Sequence, residues 1–388
     1  MIGVIADDLT GAAELGGVGL RHGLKAEVII HGRCDSEADL ICFDTDSRSC
    51  AAKEAARRAA LATRKLRKAG ARWIYKKVDS VLRGQVVAEV RAIQKALGLR
   101  AVLLVPANPG LGRVIRHGQY YVKGKLIHQT DFAHDPEFPR TSSNVLKMLG
   151  PSAEGEVGVS RLDEPLPDSG IILGEVSSSA DVQAWASRRN SDILLAGGAE
   201  FFGALLNATV PTPKASVSSK PVARRTSLGS IRELFVCGST SDSTRQFVSN
   251  AARNGTPVFS VLHGGSKRGL FSPHALEEIA AQAVSAFRSH SRLLLTIGHP
   301  LIENRTAARR LARHLAEVAV LVIRGAKPHH VYAEGGATAA ELLRRLGWRR
   351  MRIMRELAPG VATLSLLARK LPLLTIKPGS YAGWPKSR

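Results

Sequence analysis

The sequence predicts an α/β fold: two tandem α/β domains with mainly parallel sheets and an interdomain cleft. Three observations carry that reading. The chain has 388 residues, more than one hydrophobic core usually organises. Short β-branched runs alternate with Ala/Leu/Arg segments of helical period along its length, the pattern of parallel α/β layers. The alternation breaks at 207–230 (NATVPTPKASVSSKPVARRTSLGS), where Pro, Ser, Thr and basic residues replace any apolar period. The domains are accordingly placed at 1–206 and 231–388, with 207–230 as a linker.

In the first domain, strands are read at 2–6, 26–30, 38–43, 72–78, 101–105, 170–176 and 191–197, each short and rich in β-branched residues. Helices at 11–23, 51–70 and 85–98 each end near a glycine, as helix C-caps often do. After the linker, strands follow at 233–238, 256–261, 291–298, 329–335, 349–354 and 371–377.

Composition narrows the function classes. A hydrophobic content of 44% with 23% charged residues describes a chain that folds. Lys+Arg 55 against Asp+Glu 33 gives a net charge of +22, which attracts anionic small molecules and, nonspecifically, polyanions. No zinc-finger or RNP-like motif accompanies the charge, so no specific nucleic acid is expected. The four cysteines (Cys34, Cys42, Cys50, Cys237) form no CxxC pair, which fits a reduced, cytoplasmic protein without structural zinc. The first apolar run is cut by Asp7, too early for a signal peptide, and no run approaches the roughly 18–20 residues of a membrane span.

Ligands of open α/β sheets bind beyond the carboxyl ends of strands, so the polar loops there are where chemistry is sought. The first is ADDLTGA. Asp8 or Thr10 caps the next helix, which leaves the other acid of the Asp7–Asp8 pair for a metal ion, a sugar hydroxyl or proton abstraction. Burying charge is costly, so the double acid is expected to face a wet cleft. In CFDTDSRS, an exposed Asp-Ser turn accounts for Asp44 and Asp46, whereas the Arg48 guanidinium suits a bidentate carboxylate. YKKVDSVLRGQ delivers Lys76, Lys77, Asp79, Ser80 and Arg83 to one strand end, and Gly84 admits close backbone approach. A structural ion pair between Asp79 and Arg83 is the competing account of that spacing. PANPGLGRVIRHGQYYVKG is read as a long irregular loop bearing Arg113, Arg116 and His117, the histidine without a role.

In the second domain, three glycine turns follow strands: VCGSTSDSTRQ with Gly238, Ser239 and Ser241; AEGGATAAELL with Gly335, Gly336, Ala337 and Thr338; and TIKPGSYAGWP with Lys377 and Gly379. Together they suggest a phosphate cradle at helix N-termini. Neither a Walker loop nor a GxGxxG follows any strand.

Taken in series, ADDLTGA, the DSR at Arg48, YKKVDSVLRG, GSTS, GGATA followed by APGV, and IKPGSYAGWP resemble the four-carbon acid sugar kinase family over nearly the whole chain. The resemblance implies an N-terminal domain for the sugar acid, a C-terminal domain for ATP, and phosphorylation of the acid's terminal hydroxyl with Mg2+ bridging the phosphates. It implies substrate contacts at Asp7, Asp8, Arg48, Lys77, Asp79, Ser80 and Arg83, with Asp8 or Asp79 accepting the hydroxyl proton. It implies ATP contacts at Ser239, Ser241, Gly335, Gly336, Ala337, Thr338 and Gly379. On this reading Arg48, Lys77 and Arg83 hold the acid's carboxylate and the incoming phosphate. The chain departs from the family pattern at Val81, Gln85, Glu334, Ala337 and the Leu195–Phe201 stretch LAGGAEF. The partners expected are a small sugar acid and, as an allowed assembly, a homodimer. The alternative is a sugar-acid or nucleotide-binding protein of the same fold with impaired catalysis.

Overall fold

Strands covered on both faces by helices read as continuous apolar runs, and that is how β1 (Ile2–Ala6), β5 (Ala101–Val105) and β11 (Ile193–Gly197) are written. The structure, a computed structural model, describes residues 1–135, 137–210, 231–239, 241–262, 272–298, 305–367, 372–379 and 384, the side chains of 305 and 308 excepted. The chain divides into two units, Met1–Lys214 and Ala215–Arg388.

In the first unit, β1 is followed by α1 (Leu9–Arg21), β2 (Ala26–Ile29), β3 (Leu40–Asp44), α2 (Ala52–Lys68), β4 (Trp73–Lys77), α3 (Val86–Leu97) and β5. Then come β6 (Arg113–Arg116), β7 (Gln119–Val122), β8 (Lys125–Leu126), α4 (Val145–Leu149), β9 (Val157–Ser160), β10 (Gly170–Gly174), α5 (Ser179–Ser187), β11 and α6 (Ala199–Thr209). The main sheet runs β2-β3-β1-β4-β11-β5-β10-β9 with every pairing parallel. Its register sets Ala6 opposite both Asp44 and Lys77, so the segments leaving β1, β3 and β4 emerge side by side. Tyr75, Phe201 and Phe202 pack beneath them, with ring centroids 5.0–6.2 Å apart.

The stretch read as an irregular loop is an antiparallel meander, β6-β7-β8, whose turns use Gly118 and Gly124 at positive φ. Asn207–Thr209, read as the start of the linker, are the last turn of α6; 211–230 lie outside the described residues.

The second unit holds β12 (Glu233–Cys237), α7 (Asp242–Arg253), β13 (Val258–Ser260), α8 (Pro273–Ala286), β14 (Arg292–Thr296), α9 (Arg305–Ala326), β15 (His330–Glu334), α10 (Gly336–Leu346), β16 (Arg350–Ala358), β17 (Val361–Leu366) and β18 (Leu373–Lys377). Its strand order is β13-β14-β12-β15-β18-β17-β16, parallel as far as β18 and antiparallel beyond. β17 is an addition to the sequence reading. Phe235 stacks on Tyr332 at 4.3 Å, and Trp384 meets both edge-on. Cys237 sits opposite Glu334, and Glu334 opposite Lys377, so three glycine turns leave adjacent strands together.

Candidate active site

The loops after β1, β3 and β4 are bound to one another by charge. Asp8 is the N-cap of α1: its carboxylate accepts from Gly11 N at 2.8 Å and from the Thr10 hydroxyl, as a capping residue must. Asp7 takes the Arg48 fork, Nε to Oδ2 at 2.7 Å and Nη2 to Oδ1 at 3.0 Å, while Arg48 Nη1 donates to Asp8 Oδ2 at 2.8 Å. The expectation that both acids face water is therefore half right in position. The Asp7 side chain is 3% exposed and Asp8 16%, and the guanidinium is what makes the burial of Asp7 tolerable. Burial pushes the Asp7 carboxyl up, but Arg48 and Lys76 outweigh it and hold it below the usual range.

The same device repeats after β4. Arg83 Nε and Nη2 grip Asp79 Oδ2 and Oδ1 at 3.0 and 2.8 Å, and Arg83 Nη1 reaches Asp135 at 3.0 Å. Asp79 also accepts from the backbone of Val81 and Arg83. Burial opposes its ionisation; Arg83 and Arg48 overcome that and keep it well below the usual range. Leu82 takes a left-handed φ of 63° and Gly84 one of 89°; a Cβ on Gly84 would lie 3.3 Å from both Arg48 Cγ and Asp7 Oδ2. The Asp79–Arg83 ion pair weighed from the spacing is thus present, within a loop rather than a helix.

This geometry corrects the role given to the cations. The forks of Arg48 and Arg83 are taken by the chain's own aspartates, and Lys77 Nζ lies 3.2 Å from Glu14 Oε2 and donates to Val78 O at 2.9 Å. Ser80 is brought in as expected, its Oγ accepting from Arg113 Nη1 and its carbonyl from the Tyr120 hydroxyl. Behind the loops, Lys76 and Glu89 form a buried pair at 2.9 Å, and the Ser47 hydroxyl donates to Glu89. Asp44, read as exposed, is buried: Oδ1 accepts from Asp46 N, Oδ2 has no hydrogen-bond partner, and burial together with Asp46 raises its pKa well above the usual value. Asp135, Arg113, Tyr120 and Glu89 were not paired with these loops from sequence, because their partners lie 13 to 52 residues away.

In the second unit the polar groups are mostly backbone. Ser241 caps α7, accepting from Thr244 N at 3.4 Å, and Ser239 Oγ lies 3.4 Å from Gly379 O. The N-cap of α10 is Gly335, φ 92°, which has no side chain to cap with, so the amides of the first turn at Gly336, Ala337 and Thr338 are not capped by a side chain. Gly238 passes so close to this turn that a Cβ would collide with the Thr338 hydroxyl and come within 2.7 Å of Thr338 Cβ. Below the turns, Glu334 Oε1 and Lys377 Nζ pair at 2.6 Å, and Glu334 Oε2 is buried with no hydrogen-bond partner. An uncapped helix N-terminus beside small hydroxyls suits a phosphate, and the carboxylate oxygen suits a divalent cation. Among the described residues no cluster of three or more metal-ligating side chains occurs. Thr240 and 380–383, parts of the predicted motifs, lie outside the described residues.

Two family models match the chain, one in each unit. A family model described as "Sugar-binding N-terminal domain" matches residues 2–202, and one described as "Nucleotide-binding C-terminal domain" matches 234–381. The D-threonate kinase of Bordetella bronchiseptica is 28% identical over 99% of this chain and 92% of its own. The 3-oxo-tetronate kinase of Cupriavidus necator is 26% identical over 99% and 94%. The chain belongs to the four-carbon acid sugar kinase family. Other curated relatives include a D-erythronate kinase of Heliobacterium modesticaldum, 30% identical over 63% of this chain and 58% of that one. Two solved structures share the fold of this family member. One is a Haemophilus influenzae protein, TM-score 0.71 at 19% identity, covering 99% of this chain and 97% of its own. The other is a Salmonella typhimurium protein titled a putative tRNA synthase, TM-score 0.76 at 20% identity, covering 98% and 96%. Among the described residues, no helix is long and apolar enough to cross a membrane.

Proposed function

We propose that this chain is an ATP-dependent kinase that phosphorylates the terminal hydroxyl of a four-carbon sugar acid, with the acid held by the first unit and the nucleotide by the second. The observation that carries the reading is the Asp7–Arg48–Asp8 and Asp79–Arg83 lattice at the ends of β1, β3 and β4. It is a rigid, polar surface of the kind that a small hydroxylated anion needs. Kinship with enzymes named for threonate, erythronate and 3-oxo-tetronate supports the substrate class.

Phosphoryl transfer depends on positioning and on neutralising charge, with a carboxylate to orient the attacking hydroxyl. Asp8 takes that role. It is the more accessible of the first two acids, and its cap and the Arg48 contact fix its rotamer. Asp79, wrapped by the Arg83 fork, shapes the loop that presents Ser80. Arg48 acts by holding Asp7 and Asp8 in register, and Lys77 flanks them. Amides of Gly336, Ala337 and Thr338, with Ser239, Ser241 and Gly379, receive the nucleotide's phosphates. Mg2+ offsets phosphate charge when bound, and Glu334 Oε2 is the carboxylate oxygen that fits it. A cytoplasmic location is part of this reading, with no CxxC pair among the four cysteines.

A coupled assay for ADP release over a panel of four-carbon sugar acids tests the proposal. Release that requires one of the acids supports it. Nucleotide binding without release for any acid would favour the reading as a binding protein.

A further inference from the structure

The group that distinguishes a sugar acid from a polyol is its carboxylate. Guanidinium forks bind carboxylates through the parallel Nε–H and Nη2–H edge. At Arg48 and Arg83 that edge is filled by Asp7 and Asp79. Arg140 differs. The residue is 7% exposed, its Nη1 donates to Met148 O at 3.1 Å, and its Nε and Nη2 are both buried with no hydrogen-bond partner. The backbone ties the residue down through Arg140 N to Phe132 O at 2.9 Å. The head is thus pinned on one side, and the carboxylate-binding edge on the other side is unused.

Its surroundings are those of the substrate loop. The charges acting on Arg140 are those of Asp79, Arg83 and Asp135, with Tyr120 next. Tyr120 in turn feels Arg113, Asp79 and Arg140, and donates to the Ser80 carbonyl. Arg140 thus shares one electrostatic neighbourhood with Asp135 and with Asp79 and Arg83 of the loop that carries Ser80. A buried guanidinium edge without a partner is costly unless an anion joins it. Burial lowers the pKa of Arg140, in line with a cation short of counter-charge.

We propose that Arg140, on the segment that follows the β6–β8 meander, supplies the bidentate fork for the carboxylate of the acid substrate beside Ser80, and so makes the site select acids over polyols. This rests on the kinase reading above and deepens it. The family resemblance assigned no role to Arg140, and the residue carries no motif in the sequence.

The test uses the full chain and two variants, Arg140→Met and Arg140→Lys, with D-threonate and threitol, the polyol without the carboxylate, as probes. Arg140→Met is expected to raise KM for D-threonate about 50-fold or more, the loss of a charge-assisted bidentate pair, with kcat changed little. KM for ATP and the poor use of threitol stay as in the wild type, and Arg140→Lys, which keeps the charge without the fork, recovers part of the loss. A folded Arg140→Met with KM for D-threonate within about threefold of wild type overturns the proposal, as does an equal loss for D-threonate and threitol, the mark of a merely structural residue. Direct binding separates this outcome from a failure of the kinase reading. If the wild type phosphorylates no acid, calorimetry with D-threonate and no nucleotide still decides: heat of binding in the wild type that Arg140→Met abolishes supports the fork, and equal or absent binding in both overturns it. Should Arg140→Met not fold, Arg140→Lys alone decides by the same two measurements.

Discussion

The two units present polar surfaces of opposite kinds at their strand ends. The first builds its polar surface from side-chain charge, with Arg48 and Arg83 each locked onto aspartates. The second uses main-chain amides and small hydroxyls, and keeps its ion pair, Glu334–Lys377, below the turns. A charged lattice is specific because every group is already spoken for and little can rotate. An amide cradle is permissive because any phosphate fits the end of a helix. The acid should accordingly be chosen narrowly and the nucleotide loosely, and mutations should injure the units differently.

The sharpest way to break the contrast is Asp8→Asn, expected to lower kcat by about 10²–10⁴ while KM for ATP holds, measured by the coupled assay. Asp79→Asn beside it sharpens the assignment: full activity with Asp8→Asn would move the proton-accepting role elsewhere. Next comes Arg48→Met, which leaves Asp7 buried and unpaired and should destabilise the first unit by about 3–5 kcal/mol in chemical denaturation. Gly238→Val attacks the other unit. Overpacking against Thr338 should weaken binding of a fluorescent ADP analogue by about 1–3 kcal/mol, with D-threonate binding untouched.

Acid pH probes the lattice more gently. Asp7 and Asp79 lie below the usual carboxylate range in the folded state, so the stability they contribute is complete above about pH 5 and is lost as pH falls below about 4. Asp79→Asn should flatten that loss in melting curves. The smallest effect is of opposite sign. Asp44 is raised, so the folded state keeps its proton as pH climbs past the unfolded value, and stability declines with it. Asp44→Asn should therefore melt slightly higher than the wild type at pH 8, and a lower melting temperature there would show that the buried carboxyl is needed ionised.

Much of this was legible in one dimension because parallel α/β sheets put chemistry at strand ends. The β-branched runs located β1, β3, β4, β12, β15 and β18, and the polar residues just after them are the ones the structure gathers. Local spacing also exposed the Asp8 cap and the Asp79–Arg83 pair. What escaped was long range or antiparallel. The meander of β6–β8 was hidden by glycines that look like loop and serve as its turns, and β17 by its place after a Pro-Gly pair. Arg48 looked available for a ligand because nothing in the sequence says that Asp7, 41 residues earlier, occupies it. Arg140 was invisible for the same reason: an unused donor edge is a property of surroundings, not of spacing.

Residues 113–135 and 137–143 form an excursion between β5 and β9 that leaves the parallel sheet intact, yet they reach the loop after β4 through Arg113, Tyr120 and Asp135. Such an insert behaves as an exchangeable cassette. Grafting the matching stretch from a relative with another acid preference is a route to retailoring the enzyme without rebuilding its scaffold.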